Sequence, residues 1–199
     1  MIRTKIALVP YALMAAAVAA GLLWHAGDMT ARLGGNVSVG NAEIGGPFAL
    51  TDQDGKQRSA ADFRGRFMLV YFGYSFCPDV CPTTLAMEQA ALAKLGAKAA
   101  RVAPVFITID PARDRPAILK TYLASFGKDF VGLTGDAKSI ASVTREYHVF
   151  TVKRPLAGGN YAMDHSSVLY LMGPDGRFVT YYEDVIGPDG LAKDLEKRL

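Results

Sequence analysis

The stretch FMLVYFGYSFCPDVCP, residues 67–82, contains the pattern that decides the fold class. Its first six residues, 67–72, are all apolar, which is typical of a central β-strand covered on both faces. A loop follows, and Pro82 suits the first turn of a helix, which we expect to continue to about Leu95 or Ala97. A buried strand that leads through a loop into a helix indicates an α/β domain, and such domains bind ligands where these strands end.

The rest of the chain continues this alternation of strands and helices. The other predicted elements are, in chain order, a strand at 48–51 before a turn at 54–55, a strand at 105–109, a helix from Pro116, a helix capped by Asp136, a hairpin of strands at 168–172 and 178–182, and a last helix with Leu191, Leu195 and Leu199. The tetrapeptide GPDG occurs at 173–176 and at 187–190, and we interpret both copies as turns. This order predicts an α/β domain with a mixed sheet and suits a thioredoxin-like fold, although periodicity alone also allows other α/β topologies.

Cys77 and Cys81 are the two cysteines of the chain, and both lie between the predicted strand and helix. Pro78 and Pro82 disfavour the α conformation of the residues before them, so we expect both thiols in the loop, with Cys81 at or near the N-cap. The N–H groups at a helix start favour a thiolate and lower the pKa of a cysteine placed there. Two such thiols can close a disulfide, exchange with a partner's disulfide, or bind a soft metal, and their spacing does not choose among these outcomes.

A histidine beside the two thiols would favour a metal. The chain has His25 at the end of its first apolar segment, His148 at a helix-to-strand junction, and His165 shortly before the strand at 168–172. Each position also has a structural interpretation. Two thiolates and one imidazole, however, are a set that selects copper or zinc over hard cations.

Several side chains near these candidates have open interpretations. Asp164 either orients His165 or caps a turn, and Met87 and Met163 are expected to pack rather than to bind a metal. The loop 110–114, with the sequence DPARD, is either a turn with a helix cap or a rim contact for a partner protein.

The first 25 residues have the composition of a membrane anchor. Residues 6–24 are uncharged and follow Arg3 and Lys5, and a helix of that length spans about 28 Å, close to the hydrocarbon thickness of a bilayer. A cleavable signal peptide has a shorter apolar core and a small-residue cleavage site, so we predict an uncleaved single-pass anchor at 1–25. The basic residues would hold the N-terminus in the cytoplasm. A tether at 26–46 and a globular domain at 47–199 would then lie in the periplasm, at a bacterial inner membrane.

The charge balance excludes one class of partner. The chain has 22 Lys and Arg against 19 Asp and Glu, a net charge of +3, and without Arg3 and Lys5 the balance is 20 to 19. No basic stripe with interleaved aromatic residues is left, so nucleic-acid binding has no electrostatic support.

Segments in order along the chain resemble the Sco/SenC family: residues 71–82 (YFGYSFCPDVCP), 109–114 (IDPARD), and 164–167 (DHSS) followed by 171–176 (LMGPDG). The likeness covers about residues 44–199, and the predicted anchor matches the family's single N-terminal segment. It implies a thioredoxin-like domain that binds one copper ion, as Cu(I) or Cu(II), through Cys77, Cys81 and His165. At these three positions the sequence does not depart from the family's pattern.

The resemblance also implies a function. Family members help to deliver copper to the binuclear copper site of cytochrome c oxidase subunit II, which predicts a membrane-anchored metallochaperone with subunit II and a periplasmic copper donor as partners. The alternative is an enzyme, a thiol–disulfide reductase that maintains the cysteines of that site. It would use Cys77 and Cys81, depend on a periplasmic thiol reductant, and not require His165.

Overall fold

The computed structural model describes residues 44–183 and 186–199. The strands within these ranges are β1 Ala49–Asp52, β2 Gln57–Ser59, β3 Phe67–Gly73, β4 Val102–Thr108, β5 Val131–Thr134, β6 Thr151–Pro155, β7 Tyr161–His165, β8 Val168–Met172 and β9 Phe178–Glu183. The helices are α1 Val80–Leu95, α2 Pro116–Leu123, α3 Ala137–Glu146 and α4 Gly187–Arg198.

Seven of these strands form one mixed sheet in the order β2-β1-β5-β4-β3-β8-β9. Strand β4 runs parallel to both β3 and β5, and the other neighbouring pairs are antiparallel. The predicted α/β domain with a mixed sheet is therefore confirmed. Strands β6 and β7 pair only with each other in the described sheets, as an antiparallel hairpin outside the main sheet.

The core lies on both faces of the two central strands. Every residue of β3 and β4 is buried, as the continuous apolar runs predict. On one face Phe106 packs between Tyr71 and Tyr122 of α2, with ring centroids 6.3 and 5.8 Å away. On the other face Phe72 lies 5.1 Å from the ring of Tyr147, directly after α3. This packing holds the end of β3, and the loop that follows it, on a rigid support.

Helix α1 begins earlier than predicted, at Val80, with Asp79 as its N-cap. The expectation that Cys81 lies in the loop is therefore wrong, because Cys81 is the second residue of the helix, but its expected position near the N-cap is confirmed. Cys77 lies in the loop as expected. The N–H groups of a first turn have no acceptor within the helix, so Pro82 removes no helical hydrogen bond there. A following proline disfavours the α conformation of Cys81, but this effect is weaker than the packing of Cys81 against the sheet.

The structure also differs from the predicted secondary structure in segments whose sequence pattern is short or ambiguous. The second GPDG segment is not a turn, because Gly187–Arg198 is helical from its first residue, with proline in the first turn. The first GPDG segment does connect β8 to β9 as predicted. The sequence analysis did not predict β5 or the pairing of β6 with β7, although the junction expected at His148 implied a strand near β6.

The predicted anchor at 1–25 lies outside the described residues, and so does most of the predicted tether at 26–46. In the described ranges, none of the helices is both long enough and apolar enough to cross a bilayer.

Candidate metal centre

The loop that contains Cys77 begins where β3 ends, at Gly73. A Cβ atom on Gly73 would lie 2.8 Å from the Sγ of Cys81 and 2.9 Å from the ring of Phe106, so a larger residue would displace the thiol. Further along, the backbone N–H of Cys77 donates to the carbonyl of Tyr74 at 3.2 Å. The chain therefore turns tightly from the sheet to the helix and brings the two cysteines together.

Asp114 holds this loop in place through hydrogen bonds. Its fully buried carboxylate accepts a hydrogen bond from the backbone N–H of Ser75 at 2.9 Å, from the hydroxyl of the same residue, and from Thr108 at 2.7 Å. Burial raises its pKa, and the three donors oppose that effect. The DPARD segment is thus a support for the cysteine loop, a role that neither interpretation of the sequence included.

The two thiols differ in protonation. Cys81 is completely buried and Cys77 is 9% exposed. The pKa of Cys77 is lowered to about 5, chiefly because the Cys81 thiol donates a hydrogen bond to its sulfur; burial opposes this, and backbone N–H groups at the start of α1 add to it. The pKa of Cys81 is raised by that same hydrogen bond and by its burial. The expected lowering by the helix start therefore falls on Cys77 and not on Cys81.

His165, the last residue of β7, reaches the thiol pair from the hairpin. Its Nε2 lies 3.4 Å from the Sγ of Cys81, and its Nδ1 lies 3.0 Å from the carbonyl oxygen of Ser166. A carbonyl only accepts hydrogen bonds, so Nδ1 carries a proton that it donates to Ser166, and Nε2 is the ring nitrogen that faces the sulfur. The rings of Tyr71 and Tyr74 stand edge-on to the imidazole, each with its centroid 6.1 Å away.

Among the described residues, Cys77, Cys81 and His165 form the one group of at least three potential ligands, with donor atoms that all lie within 4.8 Å of one another. The structure therefore brings together the three residues that the family resemblance implies. His148 lies elsewhere, just after α3, and His25 is outside the described residues.

The neighbouring candidates have structural contacts. Asp164 lies within β7 and pairs with Arg154 across the hairpin, so it neither orients His165 nor caps a turn. Met87 and Met163 pack against the core, as predicted.

Tyr71 was not predicted at the site, yet its hydroxyl lies 3.9 Å from the Cys81 sulfur and 3.2 Å from Ser167. Burial raises the pKa of Tyr71, which keeps that hydroxyl protonated. The sequence did not identify Tyr71 because it lies within the apolar run of β3, where it was interpreted only as a core residue.

Two sulfur donors and one imidazole nitrogen suit a soft or borderline metal, and copper above all. One ring nitrogen is oriented by a backbone carbonyl, an arrangement typical of metal-binding histidines. Both cysteines are free thiols in the structure, so the sulfur donors are available.

Comparisons with known proteins agree with this donor set. The model of the SCO1/SenC family matches residues 37–199. The chain belongs to the SCO1/SenC family. One curated relative, the mitochondrial protein SCO1 homolog 1 of Arabidopsis thaliana, is 39% identical over 165 residues, which are 80% of this chain and 49% of the relative. The chain thus spans about half the length of that family member.

Solved SCO1/SenC structures share the fold. ScoI of Bradyrhizobium japonicum, solved with copper bound, is 45% identical, with a TM-score of 0.75 over 78% of this chain and 99% of that one. BsSco, described as having a disulfide switch and as a member of the Sco family of cytochrome c oxidase assembly proteins, is 28% identical, with a TM-score of 0.62 over 77% of this chain and 92% of its own. The described fold is consistent with these thioredoxin-like domains.

Proposed function

We propose that the chain is a copper metallochaperone that binds one copper ion through Cys77, Cys81 and His165. The observation that carries this proposal is the convergence of two sulfurs and one imidazole nitrogen within 4.8 Å, from two segments that are more than 80 residues apart in the sequence. The copper-bound state of ScoI from Bradyrhizobium japonicum supports the choice of metal. The thiolates suit Cu(I), and the nitrogen donor helps the site to accept Cu(II) as well.

Copper is the cargo, and it leaves by ligand exchange. A thiolate of the acceptor binds the ion while Cys77, the more exposed of the two sulfurs, lets go first. The acceptor thiols lose protons as they bind; Cys81 takes up one proton as it is released, Cys77 stays a thiolate, and any remaining proton passes to the solvent. The oxidation state of the metal does not change during this exchange. The fully buried Cys81 is then the last group to separate from it.

The acceptor in this proposal is the binuclear copper site of cytochrome c oxidase subunit II. BsSco belongs to a family of cytochrome c oxidase assembly proteins, which supports an oxidase as the client. The uncharged segment at 6–24, preceded by Arg3 and Lys5, supports a single-pass anchor in a bacterial inner membrane with the copper domain in the periplasm. A periplasmic copper donor would load the site.

A second candidate function is favoured by the unequal thiols. Cys77, with its pKa lowered to about 5, is a thiolate at neutral pH, while Cys81 keeps its proton. As a reductase, the Cys77 thiolate would attack a disulfide of subunit II and release one thiolate of that partner. Cys81 would then lose its proton, attack the sulfur of Cys77 and release the second partner sulfur. Two electrons pass to the partner, and a periplasmic thiol must reduce the resulting Cys77–Cys81 disulfide.

One substitution separates the two functions. We expect His165→Ala to lower the copper affinity of the full-length chain by at least about tenfold and to alter the sulfur-to-copper charge-transfer band. The matched control is His148→Ala, because His148 lies outside the ligand group. Copper stoichiometry, competition with a chelator, and absorption spectra are the measurements.

The outcomes are distinct. If His165→Ala keeps the affinity and spectrum of the unmodified chain, the three-ligand site is wrong. If this variant loses copper but still supports oxidase assembly in cells, the reductase function is favoured over the chaperone.

A further inference from the structure

The β6–β7 hairpin, residues Thr151–Pro155 and Tyr161–His165, has an unusual place in the domain. It supplies His165 to the metal centre, yet its strands pair with each other and not with the seven-stranded sheet. The cysteines, in contrast, are attached directly to β3 and α1. Ser166 and Ser167 join His165 to β8 of the main sheet, and side-chain contacts add to this link in holding the imidazole 3.4 Å from the Cys81 sulfur.

Arg113 is one of the side chains that reach the hairpin; Tyr74 is another, through a hydrogen bond to the backbone of Met163. The Nη1 of Arg113 donates to the carbonyl oxygen of Tyr161 at 3.0 Å and lies 3.4 Å from Oδ1 of Asn160. The guanidinium carbon also stands 3.7 Å from the centroid of the Tyr161 ring. Tyr161 is four residues before His165 on the same strand. Arg113 therefore contacts the strand that carries the imidazole.

Asp110, which follows a strand of the main sheet, binds both Arg113 and Tyr161. Its buried carboxylate accepts a hydrogen bond from the Nε of Arg113 and another, at 2.8 Å, from the Tyr161 hydroxyl. Asp110 follows β4 closely, and β4 is the neighbour of β3. The Asp110–Arg113–Tyr161 cluster thus ties the hairpin to the rigid centre of the domain.

The same guanidinium contacts the cysteine loop. Its central carbon lies 4.8 Å from the ring centroid of Phe76 and 5.6 Å from that of Tyr74, the residues on the N-terminal side of Cys77. Its Nη2 is buried without a hydrogen-bond partner, so part of its hydrogen-bonding capacity is given up for this position between the rings. Arg113 accordingly lies between the two segments that provide the ligands.

We propose that Arg113 is a positioning residue, which holds the β6–β7 hairpin against the cysteine loop and so sets the distance between His165 and the two thiols. The inference rests on the proposed copper site. Arginine suits the role because its planar fork can donate to Asp110 and Tyr161 while its face contacts aromatic rings. A lysine offers a compact charge and cannot make both kinds of contact at once.

The consequence is a copper affinity that depends on the hairpin. A ligand's apparent affinity falls by the fraction of protein in the binding-competent conformation. Loss of the Arg113 contacts lowers the fraction in which His165 lies beside the thiols, and three-ligand binding weakens accordingly. The contacts of Arg113 with the cysteine loop are made to the rings of Tyr74 and Phe76 and not to either sulfur, so we expect the smaller effect at the thiol pair.

The test compares two arginines in the full-length chain. Arg113 and Arg58 each donate through Nε to a buried aspartate, Asp110 and Asp52 respectively, but Arg58 lies on β2, away from the hairpin. We expect Arg113→Met to lower Cu(II) affinity about tenfold and to weaken the nitrogen hyperfine coupling in electron paramagnetic resonance spectra. Arg58→Met should leave both unchanged, and Arg113→Lys should not restore them.

A combination with His165→Ala separates positioning from general stability. In the His165→Ala background, Arg113→Met should have no further effect on copper affinity, because the group it positions is absent. An equal loss in both backgrounds overturns the proposal, and so does an Arg113→Met variant with unchanged affinity. If Arg113→Met does not fold, Tyr161→Phe removes only the hydrogen bond to Asp110 and should give a smaller loss in the same direction.

The copper-free protein provides a second measurement. Nuclear Overhauser effects between the His165 ring and the Tyr74 ring report their contact without any metal. We expect these signals to weaken in Arg113→Met and to persist in Arg58→Met; signals unchanged in Arg113→Met overturn the proposal. If the unmodified chain binds no copper, or His165→Ala binds it equally well, the proposed function fails while this measurement still decides whether Arg113 holds the hairpin.

Discussion

The cysteine segment and the histidine hairpin supply one metal centre but are held in different ways. The cysteine segment, from β3 through α1, is joined to both neighbouring strands by backbone hydrogen bonds and is buried along the whole of β3. The hairpin pairs with no strand of the main sheet; it is joined to β8 through Ser166 and Ser167 and is held by side chains, Arg113 among them. Two ligands are therefore fixed by the fold, and the third is held by contacts that can be changed without disturbing the sheet.

This difference suits a protein that must release its cargo. A ligand fixed by the core keeps its position whether or not the metal is bound, whereas a ligand on an appended hairpin can move away at a small cost in free energy. A substitution in the cysteine segment should consequently change the free energy of unfolding, while one in the hairpin should change mainly the local position of His165. The following substitutions test this contrast.

Asp114→Ala should have the largest effect on stability. It removes the acceptor of the half-buried Ser75 backbone N–H and of the buried Thr108 hydroxyl. Leaving such donors unsatisfied costs about 3 kcal/mol in the free energy of unfolding, to be measured by urea denaturation. Asp129→Ala, at an exposed aspartate, is the control and should change it by less than about 0.5 kcal/mol. Equal values for the two variants would mean that the cysteine loop does not depend on Asp114.

The contrast between the two regions also explains what the sequence could predict. The apolar run at 67–72, the two prolines and the turn residues are local signals, and they were sufficient for β3, α1, the sheet type and the loop position of Cys77. The exact start of α1 was not predicted. Proline disfavours the α conformation of the residue before it, but this effect is weaker than the packing that places Cys81 in the helix. The protonation of the thiol pair depends on the hydrogen bond between them, which no local pattern reports.

The hairpin was beyond local prediction. Its strands, with sequences TVKRP and YAMDH, show no clear alternation of buried and exposed residues, since β6 is almost entirely exposed and β7 uniformly half-buried. Position alone left His165 with a structural interpretation, and only the resemblance to a known family implied that it is a ligand. Arg113 contacts Tyr161, 48 positions away, and such a contact leaves no pattern in the sequence near either residue.

Glu88→Met should have an intermediate effect, in the stabilising direction. Glu88 lies on α1 two turns beyond Cys81, is completely buried, and has no hydrogen-bond partner for either carboxylate oxygen. Burial raises its pKa well above the ordinary value of 4.5. A methionine of similar shape removes this unsatisfied group, so the free energy of unfolding should rise by about 2 kcal/mol at neutral pH.

The pH dependence of that gain has a definite sign. Because the pKa of Glu88 is higher in the folded state, the unfolded state releases the proton first as the pH rises above about 4.5. The unmodified chain is therefore destabilised by Glu88 as the pH rises from that value towards the folded pKa, and the gain from Glu88→Met should shrink as the pH falls towards 4.5. The exposed Glu183 on β9 provides the control, Glu183→Met. A gain that is independent of pH would contradict a buried, protonated Glu88.

Arg154→Met should have the smallest effect and sharpens the contrast within the hairpin. Arg154 pairs with Asp164 across β6 and β7, but the two side chains are 67% and 41% exposed, and such surface pairs contribute less than about 1 kcal/mol. The pair also joins one strand of the hairpin to the other and not to the rest of the domain. Unfolding and copper titration should therefore both match the unmodified chain, although Asp164 is next to His165. If Arg154→Met weakened copper binding as much as Arg113→Met, the position of His165 would depend on contacts within the hairpin and not on its attachment to the sheet.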